Sequence, residues 1–182
     1  MGKSPEFVSC FIGLGSNLSF EAQPPQAIIE QAWHAISRLG RSAVVSPFYG
    51  SVAWPDPQGP DFVNAVMKVA TDMPPLVLLA ALQAIEAGFG RERANLSNDT
   101  ARYAPRTLDL DLLAYGTLVT GSDPEKELVV PHPALSERLF VLHPLADIAP
   151  DWSHPVIRRT SSEMLERALL WGDPKSVWRL QI

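Results

Sequence analysis

Two aspartates, Asp109 and Asp111, are spaced through a leucine-rich run, "APRTLDLDLLAYG" (Ala104 to Gly116). Residues two apart in a strand share a face, so Leu108, Leu110 and Leu112 take one side and the aspartates the other. Like charges so placed repel and raise a carboxyl pKa unless something positive stands beside them. Magnesium is one such group, because it takes oxygen ligands and shares them with substrate phosphates. Two neighbouring carboxylates can hold two such ions about 3.5–4 Å apart, clamping an in-line phosphoryl displacement. Two solvated aspartates on an exposed sheet face would show the same spacing.

The segment before the aspartates carries Arg91, Arg93, Arg102 and Arg106. Phosphoryl transfer needs cationic donors as charge spreads over the phosphate oxygens. The planar guanidinium fork can grip two of those oxygens at once. Taken singly, each arginine also suits a surface ion pair. "GLGSN" (Gly13 to Asn17) lacks the lysine and the glycine spacing of a P-loop and reads as a tight turn after a strand. His132, His143 and His154 each precede a proline at equal steps, and no pair has helical metal-ligand spacing. One of them could meet a phosphate; a three-histidine zinc site is disfavoured. The prolines are expected to keep these segments extended or turned. Trp54, Phe62 and Phe140 suit either a core or a flat slot for a heterocycle.

The elements that must position these groups follow from the hydrophobic pattern. "FVSCFIGLG" (Phe7 to Gly15) predicts a strand ending at the Gly-Ser-Asn turn, and Gln23 to Leu39 a helix with prolines at its start and Gly40 as its stop. Ser42 to Val52 and Phe62 to Thr71 read as strands, Pro74 to Gly90 as a second helix, and Arg91 to Pro105 as a polar loop. The Asp-bearing strand comes next. This β-α-β-β-α-β order predicts an α+β, ferredoxin-like core, with both helices on one face of an antiparallel sheet and the other face left available. Thr117 to Trp152 reads as a hairpin excursion with Pro-rich turns and a short helical piece. Ser161 to Trp171 reads as a final helix capped by Ser161 or Ser162.

With 182 residues and 46% hydrophobic content, a single domain over 1–182 is expected, with a core at about 7–151 and an extension at 152–182. A net charge of -5 argues against a nucleic-acid groove. Cys10 is the only cysteine, so no internal disulfide can form, and its apolar setting suggests a buried thiol. "MGKSPEF" has neither a secretory apolar stretch nor a Ser or Thr where myristoylation wants one, since Glu6 stands there. No run is long enough to span a bilayer. A cytoplasmic monomer, without membrane or nucleic-acid partners, is the expectation.

"GLGSNL", "FVNAV", "IEAGFGRER", "YAPRTLDLDLLAYG" and "VPHPALSERLFVLHPLADIAP" together resemble the 6-hydroxymethyl-7,8-dihydropterin pyrophosphokinase family of folate biosynthesis, from Phe7 to about Asp151. The resemblance implies transfer of the β- and γ-phosphates of ATP together to the pterin hydroxymethyl oxygen, releasing AMP. It implies two Mg2+ ions on Asp109 and Asp111, with Arg91 and Arg106 stabilising the transferring phosphates. Gln83, Glu86, Arg93, Tyr103, His132 and Arg138 match positions that hold the nucleotide. Phe62 and Phe140 would stack on opposite pterin faces, Asn64 would read its amide edge, and Ser51, Val52 and Trp54 would read the rest. Tyr103 stands where a tryptophan is familiar, and "NLSNDT" lengthens the arginine loop. The alternative from another class is a non-catalytic ferredoxin-like ligand-binding or regulatory module.

Overall fold

The computed structural model describes residues 6–53, 58–91, 105–121 and 127–181. Its elements are β1 (Val8–Ser16), α1 (Pro25–Ser37), β2 (Arg41–Val45), β3 (Tyr49–Ser51), β4 (Phe62–Thr71), α2 (Pro75–Gly88), β5 (Asp109–Tyr115), α3 (Leu139–Ile148), α4 (Ser161–Leu169) and β6 (Val177–Arg179). The strands form one sheet in the order β5-β1-β4-β3-β6, with β2 also on β4 and every pair antiparallel. Read without β6, this is the split order of the ferredoxin-like core.

Alternation along β1 divides the interior in two. Cys10, Ile12 and Leu14 point to Ile28, Ile29, Ala32 and Ile36 of α1, to Leu78 and Leu82 of α2, and to Leu108, Leu110 and Leu112. Each such aliphatic side chain contributes roughly 1.5–3 kcal/mol by leaving water. Burial pushes the Cys10 thiol up to about 12, so it stays protonated and unreactive. Both helices start on proline, whose fixed φ suits a first turn where no N–H partner is needed. A Cβ at Gly40, after α1, would collide with the Ala70 carbonyl oxygen, so the close return to the sheet requires glycine there.

The second face is not left free. Phe11, Val66, Leu113 and Ala114 meet Val141, Leu142 and Leu145 of α3 and Met164 of α4. A one-residue bulge in β5 opposite Phe11/Ile12 turns both Leu113 and Ala114 into this second core. Asp109 and Asp111 share the face of Leu113 by alternation. They stand beyond the helical cover, at the open end of that face.

Other expectations change in detail. β1 ends at Ser16, one residue past the expected Gly15, so Gly13 to Ser16 are strand rather than a tight turn. The stretch 42–52 is two strands, because Pro47 has no N–H to give the ladder. Ser46 bridges the gap, its N–H donating to Val66 O at 2.9 Å and its Oγ accepting from Val66 N at 3.0 Å. Pro144 lies inside α3, so His143-Pro144 is helical rather than extended. Thr160, not Ser161 or Ser162, caps α4, through a reciprocal box with Glu163. The 117–130 excursion closes by Thr120 N donating to Val130 O at 3.0 Å, without a named strand pair among the described residues. β6 returns to the sheet and pairs Arg179 with Tyr49. Among the described residues, no helix is long and apolar enough to cross a membrane.

Candidate active site

The entry to β5 is fastened to the end of β1. Ser16 Oγ donates to Thr107 O at 2.6 Å, and the Asn17 and Leu18 N–H groups donate to Arg106 O at 3.0 and 3.1 Å. Asn17 Oδ1 accepts from Arg106 N at 2.7 Å, while its Nδ2 donates to Pro60 O at 3.0 Å. The Gly-Ser-Asn stretch is thus a clamp on the segment that carries Arg106. Local pattern gave no sign of this, because the bonded residues lie far apart in the chain.

From that fixed backbone, Arg106 Nη1 donates to Asp109 Oδ2 at 2.7 Å. Arg91, just past α2, donates to Asp109 Oδ1 and to Glu86 Oε1. Glu86 is only 1% exposed, and the same Oε1 accepts from Leu110 N at 2.8 Å. β5 is an edge strand, so this carboxylate takes one of its outward N–H groups and holds Arg91 against Asp109. Glu86→Ala would orphan a buried N–H and loosen Arg91. A loss of about 1–3 kcal/mol in urea unfolding is expected; wild-type stability would contradict the network.

Asp111 lies next along the same face. Arg138 Nη1 stands 3.8 Å from its Oδ2, and the Arg138 guanidinium sits 5.6 Å above the Phe140 ring. Desolvation, then the neighbouring Asp109 charge, pushes the Asp111 carboxyl up, while His132, Arg138 and Arg106 pull it down. His132 is fixed by its N–H donating to Leu113 O at 2.8 Å and by its Nδ1 accepting from Ala134 N at 3.2 Å.

The other end of the face belongs to β4. Phe62 and Asn64 share a side by alternation, and Asn64 is 5% exposed. Its Nδ2 donates to Ser51 Oγ at 3.0 Å and leans on Tyr49 O at 3.4 Å. A backbone carbonyl accepts only, so the amide nitrogen must face it, and Oδ1 is turned toward the open side. Gly15 pairs with Asn64 on one side and with Asp109 on the other. Asn64, Gly15 and Asp109 therefore form one row across three strands. Tyr49 Oη donates to Asp147 Oδ2 at 2.8 Å and Tyr49 stacks on His143 at 5.6 Å, tying α3, which carries Phe140, to β3. Burial and the Asp147 bond push the Tyr49 hydroxyl up to about 12.

Of the residues singled out from sequence, Asp109, Asp111, Arg91, Arg106, Glu86, His132 and Arg138 converge here, with Ser51, Phe62 and Asn64 beyond Gly15 and Phe140 beside Arg138. Val52 follows β3, its N–H donating to Ser176 O at 3.0 Å. Gln83 lies one turn before Glu86 on α2, half-buried. Trp54, Arg93 and Tyr103 fall outside the described residues. The three His-Pro pairs go to three places: His132 near Asp111, His143 on Tyr49, and His154 buried with its Nδ1 accepting from Val156 N and Ile157 N. Among the described residues, no three His, Cys, Asp or Glu side chains gather as a metal site. Two carboxylates, oxygen donors only, fit a hard cation that completes its shell with phosphate and water.

A family model described as 7,8-dihydro-6-hydroxymethylpterin-pyrophosphokinase matches residues 11–150. The chain belongs to this pyrophosphokinase family. Its relatives include the 2-amino-4-hydroxy-6-hydroxymethyldihydropteridine pyrophosphokinase of Pseudomonas aeruginosa, 43% identical over 151 residues, covering 80% of this chain and 83% of that protein. The Synechocystis enzyme of the same name is 35% identical over 172 residues, covering 92% and 77%. A Plasmodium falciparum HPPK-DHPS structure with pterin and p-hydroxybenzoate superposes with a TM-score of 0.74 at 12% identity, over 100% of this chain and 48% of that one, which bears on the fold alone. Members of the pyrophosphokinase family carry out ATP-dependent pyrophosphoryl transfer in folate biosynthesis, and that is the activity of this chain. The non-catalytic binding module is not favoured.

Proposed function

We propose that Asp109 and Asp111 hold the magnesium ions on which pyrophosphoryl transfer in this chain depends, and that the row from Asn64 to Asp109 seats the pterin. The observation that carries this is the side-by-side placing of the two carboxylates on one sheet face, with Arg91 and Arg106 bonded to Asp109 and Arg138 beside Asp111. When bound, magnesium neutralises phosphate charge and polarises the acceptor hydroxyl.

The chain's own groups do the rest. Asn64 and Asp109 lie two strand spacings apart, roughly 10 Å. That length suits a flat bicyclic ring with its amide edge at Asn64 and its hydroxymethyl arm directed at the aspartates. Phe62 and Phe140 supply apolar faces for the ring, and Ser51 and Val52 border its edge. Without nucleotide, Arg91 and Arg106 neutralise Asp109. With nucleotide, they release it and turn their guanidinium forks to the phosphate oxygens, where charge grows as the bond between the α- and β-phosphates breaks. His132 and Arg138 complete the cationic rim, with Gln83 bordering the nucleotide and Glu86 acting through Arg91. The acceptor oxygen bonds to the β-phosphorus, the hydroxyl proton is lost, and AMP departs.

The test is AMP release by the purified chain with ATP, Mg2+ and 6-hydroxymethyl-7,8-dihydropterin. AMP should appear in step with the pterin pyrophosphate and only when both pterin and Mg2+ are present. Metal-independent turnover would remove the aspartates from their assigned role.

A further inference from the structure

We infer that Trp178 is a positioning residue for pterin binding: laid against Gly50, it fixes the short strand β3 and, through it, Ser51 and Val52 at the edge of the ring. This rests on the pterin reading above and adds a strand, β6, that lies beyond residues 11–150, the span of the family match.

β3 needs outside support. It is three residues long, Tyr49–Ser51, and it follows Pro47, which gives the sheet no N–H. Its middle residue is Gly50, and glycine inside a strand weakens the element because its backbone loses the most freedom on ordering. Yet β3 leads straight into the residues that border the pterin. Ser51 is buried, and its Oγ accepts from Asn64 Nδ2 at 3.0 Å. A shift of β3 would move Ser51, Val52 and the Asn64 amide together.

β6 supplies the support. It pairs along the edge of β3 that faces away from β4, Tyr49 with Arg179, Gly50 with Trp178 and Ser51 with Val177. The ladder is closed at both ends: Val52 N–H donates to Ser176 O at 3.0 Å, and Leu180 N–H donates to Phe48 O at 2.9 Å. Directly paired residues share a face, so Val177 sits on the side of Ser51 and Asn64, and Trp178 on the reverse of the sheet. Val177 packs with Tyr49 and Leu139, and Phe140 lies against the same cluster. On the reverse side, the Trp178 ring touches the Gly50 main chain. A Cβ at Gly50 would stand 2.3 Å from Trp178 Cε2 and 2.4 Å from its Nε1, so only glycine admits this contact. The ring covers the one residue of β3 that has no side chain of its own to pack.

The groups assigned to metal and nucleotide lie elsewhere. Asp109 and Asp111 are on β5, at the opposite end of the strand order from β6. Loosening β6 therefore reaches the pterin and leaves the nucleotide.

Two substitutions break the same contact from opposite sides. Trp178→Ala deletes the ring, and Gly50→Ala puts a methyl group where the ring lies. These variants, their double and Trp178→Phe are titrated with 6-hydroxymethylpterin in the presence of Mg2+ and α,β-methylene-ATP. Nucleotide Kd, steady-state kinetics and hydrogen exchange at the Val52 amide are measured beside it. Trp178→Ala and Gly50→Ala should each raise pterin Kd about fivefold to tenfold, the scale of a loosened hydrogen bond. Pterin KM should rise with it, while kcat at saturating pterin and nucleotide Kd stay within about twofold. The Val52 amide should exchange about tenfold faster as its bond to Ser176 opens. The double variant should cost no more than either single change, since both break one contact. Trp178→Phe keeps a flat ring and should hold pterin affinity within about twofold. Wild-type pterin affinity in Trp178→Ala overturns the inference. So does an equal loss for pterin and nucleotide, or a Trp178→Ala protein that fails to fold, because β6 would then hold the sheet as a whole. Failure of the wild type to bind pterin at all would instead overturn the functional reading beneath it.

Discussion

Asp109→Ala and Asp111→Ala should each lower kcat for AMP release by about a thousandfold or more, because each removes a carboxylate oxygen set that the metal-dependent step needs. Both variants should fold. The strand is held by Leu108, Leu110 and Leu112 in the first core and by Leu113 in the second, and neither aspartate side chain is part of either core. The two changes should differ in their side effects. Asp109→Ala removes the Arg106 ion pair and leaves Arg91 on Glu86 and the Leu108 carbonyl oxygen. Asp111→Ala removes a carboxyl that desolvation first, and the adjacent Asp109 charge second, push up, so its Tm should equal or exceed that of the parent. Rapid-quench AMP formation with parallel urea unfolding reads both effects. Near-normal turnover by either folded variant would be incompatible with the aspartates as metal ligands.

Arg106→Ala should reduce kcat by about a hundredfold to a thousandfold while changing nucleotide Kd only a few-fold, since a guanidinium that meets developing charge acts mostly in the transition state. The Arg106 backbone is clamped by Asn17 and Leu18, so the loss is confined to the side chain. Arg106→Lys should recover only part of the rate, because an ammonium cannot reproduce the planar fork. An effect confined to KM would make Arg106 a substrate-holding group instead.

The sequence made the Asp-bearing strand legible because leucine and aspartate alternate at the strand period. It made α1 and α2 legible because proline starts and apolar faces repeat at the helical period. The arginines and Asn64 could be assigned roles because their motif strings matched a known family. What stayed hidden was non-local. No residue near Gly13 announces that Ser16 and Asn17 will fasten Arg106, and nothing beside Tyr49 points to Asp147. By spacing alone Glu86 is one more polar helix residue, and only the family resemblance singles it out; its bond to the edge N–H of Leu110, which draws it inward, was not legible. Pro144 argued against a helix, but the second core buries Val141, Leu142, Pro144 and Leu145 together, and tertiary burial outweighs the lost backbone bond. The cover on the second sheet face and the return of β6 to β3 likewise depend on long-range packing that spacing alone does not encode.

The most direct measurement is anomalous scattering from crystals grown with Mn2+ in place of Mg2+, together with α,β-methylene-ATP, which cannot break at the reacting bridge, and the pterin. Anomalous peaks bonded to carboxylate oxygens of both Asp109 and Asp111, with Arg91 and Arg106 turned onto the phosphates, are the expected result. Metal-free carboxylates still paired with Arg91 and Arg106, beside a triphosphate seated elsewhere, would contradict it.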